Sequence, residues 1–415
     1  MRQTALFSKT SKETPRDEVS KNAVLLQRAG FIYKEMAGVY DLLPLGLRVI
    51  NKITEIIREE MNTIGGEEVL LSSLQNKETW EPTDQWNDEN VDVWFKTNLK
   101  NGAELGLGLT HEAPLTKVLK DFVQSYRDLP RYIYQFQTKF RNEIRARSGI
   151  MRTREFLMKD MYSFSKDNTD HLEFYGKAKK AYKTIFERVG IGEYTYFTFA
   201  SGGMFAKYSH EFQTVLDSGE DTIYLNKKKN IAVNKEVYSS EILEELELKK
   251  EDMEEVRAVE VGNIFTLGTR FSDALDLKYI SLGGNKKAVI MGSYGIGPAR
   301  VMGTIVELFA DDKGIVWPES VAPFKIHLLA LGENVIEDAA AVYKELEAAG
   351  IEVLFDDRVG LTNGEKFAEA DLIGCPWRIV ISEKTLKEKS VELKARTSDK
   401  SELIALNKIV KHFNN

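Results

Sequence analysis

Leu47, Ile50, Ile53, Ile57 and Met61 recur at spacings of three and four, which places them on one face of a helix over residues 46–63. Gly65-Gly66 supplies its stop, and residues 68–72 after it read as a short strand. Residues 105–122, LGLGLTHEAPLTKVLKDF, read as strand, turn and helix, and the acidic run SSEILEELELKKEDMEEV at 239–256 reads as helical. From about Pro323 the pattern changes. KIHLLAL and IEVLFD are apolar strands, VIEDAAAVYKELEAAG is an amphipathic helix ending at Gly350, and WRIVIS and SVELKAR add further strands. A separate C-terminal α/β domain is expected.

Length agrees with more than one domain, since 415 residues exceed what a single hydrophobic core usually supports. A content of 43 % hydrophobic and 29 % charged residues is that of a soluble globular protein. No apolar run reaches the ~18 residues of a membrane span. The first twenty residues, MRQTALFSKTSKETPRDEVS, lack the apolar core of a signal peptide, so a cytoplasmic protein is expected. Cys375 is the single cysteine, which excludes an internal disulfide and fits a reducing compartment. The net charge of -7 does not itself point to nucleic acid. A local basic surface can still supply phosphate contacts on an acidic chain.

Such a local reversal occurs between Arg131 and Asp160, where eight Lys or Arg stand against three Asp or Glu. The stretch otherwise reads as paired, buried strands. Guanidinium groups are planar, permanently charged and suited to bidentate contact, so Arg141, Arg152 and Arg154 point to a phosphate-bearing ligand; a solvated basic hairpin is the plainer alternative. Thr110 and Glu112 allow two readings as well. They serve as helix N-cap and first-turn carboxylate, or they form a hydroxyl and carboxylate pair offered to a ligand.

Phe-Arg-Asn-Glu at 140–143, a loop holding Gly149, and Arg-Glu-Phe-Leu-Met-Lys-Asp at 154–160 resemble motif 2 of the class II aminoacyl-tRNA synthetases. Met-Gly-Ser-Tyr-Gly-Ile-Gly-Pro-Ala-Arg at 291–300, about 150 residues on, resembles motif 3. The helix at 46–63 with its strand resembles motif 1, which builds the dimer interface in those enzymes, although Ser72 stands where the family often has proline. Three further segments resemble the bacterial kind of prolyl-tRNA synthetase. They are Thr110-His111-Glu112, Ser-His-Glu-Phe at 209–212 within the run 202–213, and Val-Gly-Asn-Ile-Phe-Thr-Leu-Gly-Thr at 261–269. Ala113 replaces a second Glu of the family, and Asn263 replaces a His.

The resemblance implies an α+β fold, a class II antiparallel sheet flanked by helices, with a C-terminal α/β anticodon-binding domain. It implies catalytic segments at 1–225 and 257–322, an anticodon-binding domain at 323–415, and a short linker at 226–256 where longer relatives carry an editing insertion. About thirty residues are too few for a domain of at least ~50, so no editing of alanyl-tRNA in cis is expected. ATP and magnesium are the implied cofactors, tRNA(Pro) and L-proline the implied partners, and a homodimer the implied state.

The resemblance also assigns roles. Arg141 bridges the α-phosphate and the proline carboxylate, and Arg300 meets the γ-phosphate or covers the adenine. Glu143 accepts from the adenine amino group, Arg152 and Thr153 contact ATP, and Gly295 and Gly297 let backbone and nucleotide approach. Thr110, Glu112 and His210 hold proline, whose secondary ammonium offers two N–H donors. Lys389, Glu392, Lys394 and Arg396 are candidate anticodon readers. No magnesium ligand is assigned.

Three alternatives are weighed against this reading. A threonyl-type enzyme is disfavoured because its zinc site needs a cysteine, and Cys375 is far from motif 2. A non-catalytic paralogue that binds tRNA or nucleotide would commonly lose Arg141 or Arg300, and both are present. A generic ATP-binding protein finds no G-x-x-x-x-G-K-[ST] loop and no strand-borne G-x-G-x-x-G.

Overall fold

The computed structural model describes residues 1–144, 148–202 and 208–414. It divides into two compact units. One comprises Ala37–Val39 and Thr54–Thr304, the other Met1–Met36, Tyr40–Ile53 and Ile305–Asn415.

The first unit is built on a nine-stranded sheet. Its strands are β1 (Glu67–Glu68), β2 (Arg131–Phe140), β3 (Glu155–Ser165), β4 (Thr195–Ser201), β5 (Tyr208–Val215), β6 (Asp221–Asn226), β7 (Ile231–Asn234), β8 (Glu254–Gly268) and β9 (Ile290–Ile296). They lie in the order β5-β4-β7-β6-β8-β9-β3-β2-β1, and β5 also pairs with β8. Only the β1–β2 and β4–β7 pairs are parallel.

Both faces of β3 are covered, so its second half is buried without interruption and does not show the alternating exposure of a half-buried strand. Tyr162 and Phe164 point into an apolar cluster with Trp80, Trp94 and Leu115. Lys159, on the opposite face, reaches the helix Asn168–Arg188, whose buried Phe174, Ala178, Tyr182, Ile185 and Phe186 recur at helical spacing. Asp167 caps that helix by accepting from the Asp170 N–H.

The helix expected over 46–63 runs Pro44–Thr63, and Leu45, Val49, Ile50, Ile53, Ile57 and Met61 are buried. Leu47 is not on that face. It lies two positions from both Leu45 and Val49, about 200° around the helix from each, and is 46 % exposed. The strand expected at 68–72 is cut to Glu67–Glu68: the Val69 N–H still donates to the Tyr134 carbonyl at 2.8 Å, but the Leu71 N–H turns to the Gln135 side chain at 2.9 Å.

Residues 226–256 are folded and contribute to the sheet. Within the acidic run only Ser240–Glu245 is α-helical, with Ser239 accepting from the Ile242 N–H, and Lys250–Asp252 forms a single 3-10 turn. The end of the run opens β8, where Glu254 pairs with Leu225 of β6, so ladder pairing overrides local helix propensity. Val233, Ile242, Leu243 and Leu248 bury a small core of their own.

In the second unit, β10 (Ile326–Leu331), β11 (Val353–Asp356), β12 (Trp377–Ser382), β13 (Ser390–Ala395) and β14 (Glu402–Ala405) form a sheet ordered β11-β10-β12-β13-β14. The first three are parallel and the last two antiparallel. The helix Ile336–Ala348 packs Ala339, Val342 and Leu346 against Ile326, Leu328 and Phe355. Among the described residues no helix is long and apolar enough to cross a membrane.

Candidate active site

Antiparallel pairing of β2 with β3, β3 with β9 and β9 with β8 gathers segments that are far apart in the chain. One pocket is lined by Arg141, Glu143, Arg152, Thr153, Gly295, Gly297 and Arg300, which include every residue expected to meet ATP. Phe156, Glu260 and Asn263 complete its wall. A Cβ at Gly295 would lie 2.9 Å from the Asn263 Oδ1, so the Asn263 side chain would have to shift to admit one. At Gly297 a Cβ would meet only the Arg300 Cβ, at 3.6 Å, which leaves the space in front of it open.

The charges in this pocket are paired, with one exception. Arg152 bonds Glu143 at 2.9 Å and Glu220 at 3.1 Å. Arg300 donates to the carbonyls of Met151 at 2.9 Å and Glu260 at 3.0 Å. Arg154 is spent on the Glu143 carbonyl at 3.1 Å and on the Ala37 carbonyl. The Arg141 guanidinium has no hydrogen-bond partner among the described residues and lies 5.3 Å from the centre of the Phe156 ring. Burial and the nearby Arg300 cation press its pKa down, against the pull of Glu260, Glu112 and Glu143. A cation so placed favours an incoming anion.

Thr110 is not the helix cap, whereas Glu112 does stand in the first turn. The helix starts at Glu112 with His111 in the capping position, and the Thr110 hydroxyl donates to the Glu112 carboxylate. Burial raises the Glu112 pKa, and no basic side chain bonds it among the described residues. His210 accepts or donates at Tyr175 Oη, 2.6 Å away, stacks on Phe197 at 4.5 Å and meets the edge of Phe199 at 4.5 Å. Burial and the Lys179 cation lower its pKa to about 4, so the ring is neutral at physiological pH. His210 makes no hydrogen bond to Thr110 or Glu112 among the described residues; it stands on β5 opposite Ile264, one position from Asn263 of the pocket wall. Residues 203–207 of the run around His210 lie outside the described residues, as do Arg145 and Arg147.

Several charged residues of the site were not singled out from the sequence. Lys139 and Lys159 counted toward the basic excess, yet both are fully buried and serve internal partners. Lys139 pairs with Asp160 at 2.8 Å, and Lys159 donates to the Tyr182 hydroxyl at 2.6 Å and the Tyr294 carbonyl at 3.0 Å. A lysine inside a strand that reads as buried was the available signal. Glu211, in the Ser-His-Glu-Phe segment, was also passed over. Burial and the neighbouring Glu260 and Asp221 carboxylates raise its pKa to about 8, against the donors Gln213 and Asn234.

That shift makes a prediction. A carboxyl with a pKa near 8 in the folded chain and an ordinary one when unfolded makes the folded state hold an extra proton in between, so stability falls as pH rises through that window. Glu211→Gln keeps the shape and removes the titration. Its melting temperature should gain on the parent as pH rises from about 5 to 8, and parallel melting curves against pH would refute the shift.

In the second unit, β13 sets Glu392 and Lys394 on one face, opposite buried Val391 and Leu393, with exposed Lys389 in the turn before it. Arg396 departs from the expected role. Its guanidinium is bidentate to Asp311 at 2.6 and 2.8 Å, donates to the Asp371 carbonyl at 3.2 Å, and is 5 % exposed. It holds the unit together and offers nothing to RNA.

The sheet, the arginine-lined pocket on it and the second unit define a class II aminoacyl-tRNA synthetase: residues 95–309 match the family described as tRNA synthetase class II core domain (G, H, P, S and T), and residues 321–415 match the anticodon binding domain. Relatives matched end to end narrow the class. A proline-tRNA ligase of Wolbachia sp. subsp. Drosophila simulans (strain wRi) is 37 % identical over 424 residues, covering 100 % of this chain and 99 % of the relative. A second, from Methylobacterium nodulans, is 35 % identical over 99 % of this chain and 98 % of its own length. The chain belongs to the proline-tRNA ligase family. Its fold is also similar to a solved prolyl-tRNA synthetase from Cryptosporidium parvum, complexed with L-proline and AMP, with a TM-score of 0.77 at 18 % identity over 95 % of this chain and 74 % of that one.

Proposed function

We propose that the chain activates L-proline with ATP to prolyl-adenylate and passes the prolyl group to the terminal ribose hydroxyl of tRNA(Pro). The carrying observation is a pair of opposite charges that bond no charged partner among the described residues. Arg141 has no hydrogen-bond partner among the described residues, and Glu112 is bonded by the neutral hydroxyl of Thr110. A small zwitterion satisfies both, with its carboxylate on Arg141 and its ammonium on Glu112 and Thr110. The neutral ring of His210, packed among Phe197, Phe199 and Tyr175, suits the apolar body of a pyrrolidine.

Proline's carboxylate attacks the α-phosphorus, the bond to the bridging oxygen breaks, and pyrophosphate leaves. The carboxylate is already ionised, so the step needs no protein nucleophile. It needs alignment and neutralisation of charge on the phosphorus oxygens. Arg141 bridges the two reactants, Arg300 meets the γ-phosphate or covers the adenine, Glu143 accepts from the adenine amino group, and Arg152 and Thr153 flank the nucleotide. Gly295 and Gly297 form the floor. Among the described residues no group of three His, Cys, Asp or Glu could hold a metal. Magnesium would arrive on the triphosphate, since that ion usually keeps phosphate oxygens and water as most of its ligands.

The division into catalytic segments at 1–225 and 257–322 and an anticodon-binding domain at 323–415 belongs to the same reading. Residues 226–256 stand in place of an editing insertion, and the alignment to the Wolbachia relative, 424 residues long, has no room for one either. Lys389, Glu392 and Lys394 are the surface offered to the anticodon. Leu70, 74 % exposed beside β1, supports a homodimer built on the motif 1 segment. The cytoplasm is the compartment proposed for it.

Amino-acid-dependent pyrophosphate exchange with proline, alanine, threonine or no amino acid tests the reading. Exchange should be driven by proline, and only weakly by alanine. Absence of exchange from a folded, ATP-binding preparation would favour a non-catalytic paralogue. In the same preparation alanyl-tRNA should persist, and its deacylation by the purified chain would refute the absence of editing.

A further inference from the structure

We propose that Lys139 and His111 are positioning residues for the amino-acid subsite: the Lys139 ammonium fixes the tautomer and orientation of His111, and His111 holds Thr110 and Glu112 on either side of it. The inference rests on the proposal that Thr110 and Glu112 hold proline.

His111 is fully buried between the two ligand-facing residues. Its Nδ1 lies 2.6 Å from the Lys139 Nζ, and its Nε2 lies 3.1 Å from the Ser72 carbonyl. An ammonium only donates and a carbonyl only accepts. Nδ1 is therefore the acceptor and Nε2 carries the hydrogen, which makes the ring neutral. Burial and the Lys139 cation also lower the His111 pKa, to about 4.

The remaining donors run in one direction around the loop. The His111 backbone N–H donates to the Tyr162 hydroxyl at 3.1 Å, and that hydroxyl donates to Asp160 at 2.9 Å. Asp160 also accepts from Gln135 at 3.0 Å and pairs with Lys139 at 2.8 Å, which closes the ring. Gln75 holds the Thr110 carbonyl at 2.8 Å from the other side. Tyr162 gives its hydrogen to Asp160 and so cannot donate to Thr110, 3.4 Å away, whose hydroxyl donates to Glu112. Loss of the ammonium would leave Nδ1 without its donor and Asp160 without its counter-ion, and the loop would lose its register.

The chain has five histidines, so 15N-labelled histidine and long-range 1H–15N correlation can read each ring. His111, assigned by its absence in His111→Gln, should show a bare Nδ1, a protonated Nε2 and no titration between about pH 5 and 8. Kinetically, Lys139→Met and His111→Phe should raise the proline KM by about tenfold or more while the ATP KM stays within about twofold. His111→Gln should restore most of the loss, because its amide can accept from Lys139 and donate to Ser72. If Lys139→Met fails to fold, Lys139→Met with Asp160→Asn removes both charges together and serves in its place. A protonated Nδ1 in the parent would overturn the inference. So would an unchanged proline KM in the folded His111→Phe, or an equal rise for both substrates. Glu112→Gln separates the two levels: an unchanged proline KM there refutes the subsite itself, whereas a change there with none in His111→Phe refutes only the positioning.

Discussion

Arg141→Ala is expected to slow proline-dependent pyrophosphate exchange by about 30- to 1,000-fold, the equivalent of roughly 2 to 4 kcal/mol for a single electrostatic stabiliser of a charged transition state. The guanidinium has no hydrogen-bond partner among the described residues, so its removal breaks no internal bond. Burial and repulsion from Arg300 already oppose its charge. The variant should therefore melt no lower than the parent while losing nearly all activity. That combination separates Arg141 from a structural arginine such as Arg396, whose loss would strand Asp311 and lower the melting temperature. Arg141→Lys keeps the charge without the planar fork and should recover only part of the rate. A loss of only a few-fold on alanine substitution would remove Arg141 from the centre of the reaction.

The pocket that gathers the residues proposed to meet ATP was legible because they sit in short strings on adjacent antiparallel strands. Arg141 and Glu143 follow β2, Arg152 and Thr153 precede β3, and Gly295 is the last residue but one of β9, which pairs with β3. Local order in the chain was enough to predict their meeting. Partners chosen across the sheet were not legible. Whether Lys139 faces solvent, ligand or Asp160 depends on which face of β2 is covered, and β3 beside it is buried on both faces along its second half, so no exposed face marks the difference. The same limit explains Arg396, whose partner Asp311 is 85 positions away. The acidic run at 239–256 was misread for another reason: its helix propensity is real, but pairing of Glu254 with Leu225 turns the end of it into strand.

The second large effect concerns Glu112. Glu112→Gln keeps the size of the side chain and an oxygen able to accept from Thr110, and it removes the negative charge. Hydrogen bonds to a charged partner contribute roughly 1.5 to 3 kcal/mol, so the proline KM should rise roughly ten- to a hundredfold while the ATP KM stays put. Burial raises the Glu112 pKa, which gives a second reading. In the parent, kcat/KM for proline should fall as pH drops through that raised value, because protonation neutralises the carboxylate that receives the ammonium. The variant should lack this limb. Stability should move the opposite way. A carboxyl whose folded pKa lies above its unfolded one costs stability as pH climbs between the two, so the variant should melt higher than the parent at neutral pH and converge with it in acid. Weaker proline binding in a more stable protein is what a charge maintained for a ligand produces. A variant that loses stability without losing affinity for proline would show instead that Glu112 serves the fold.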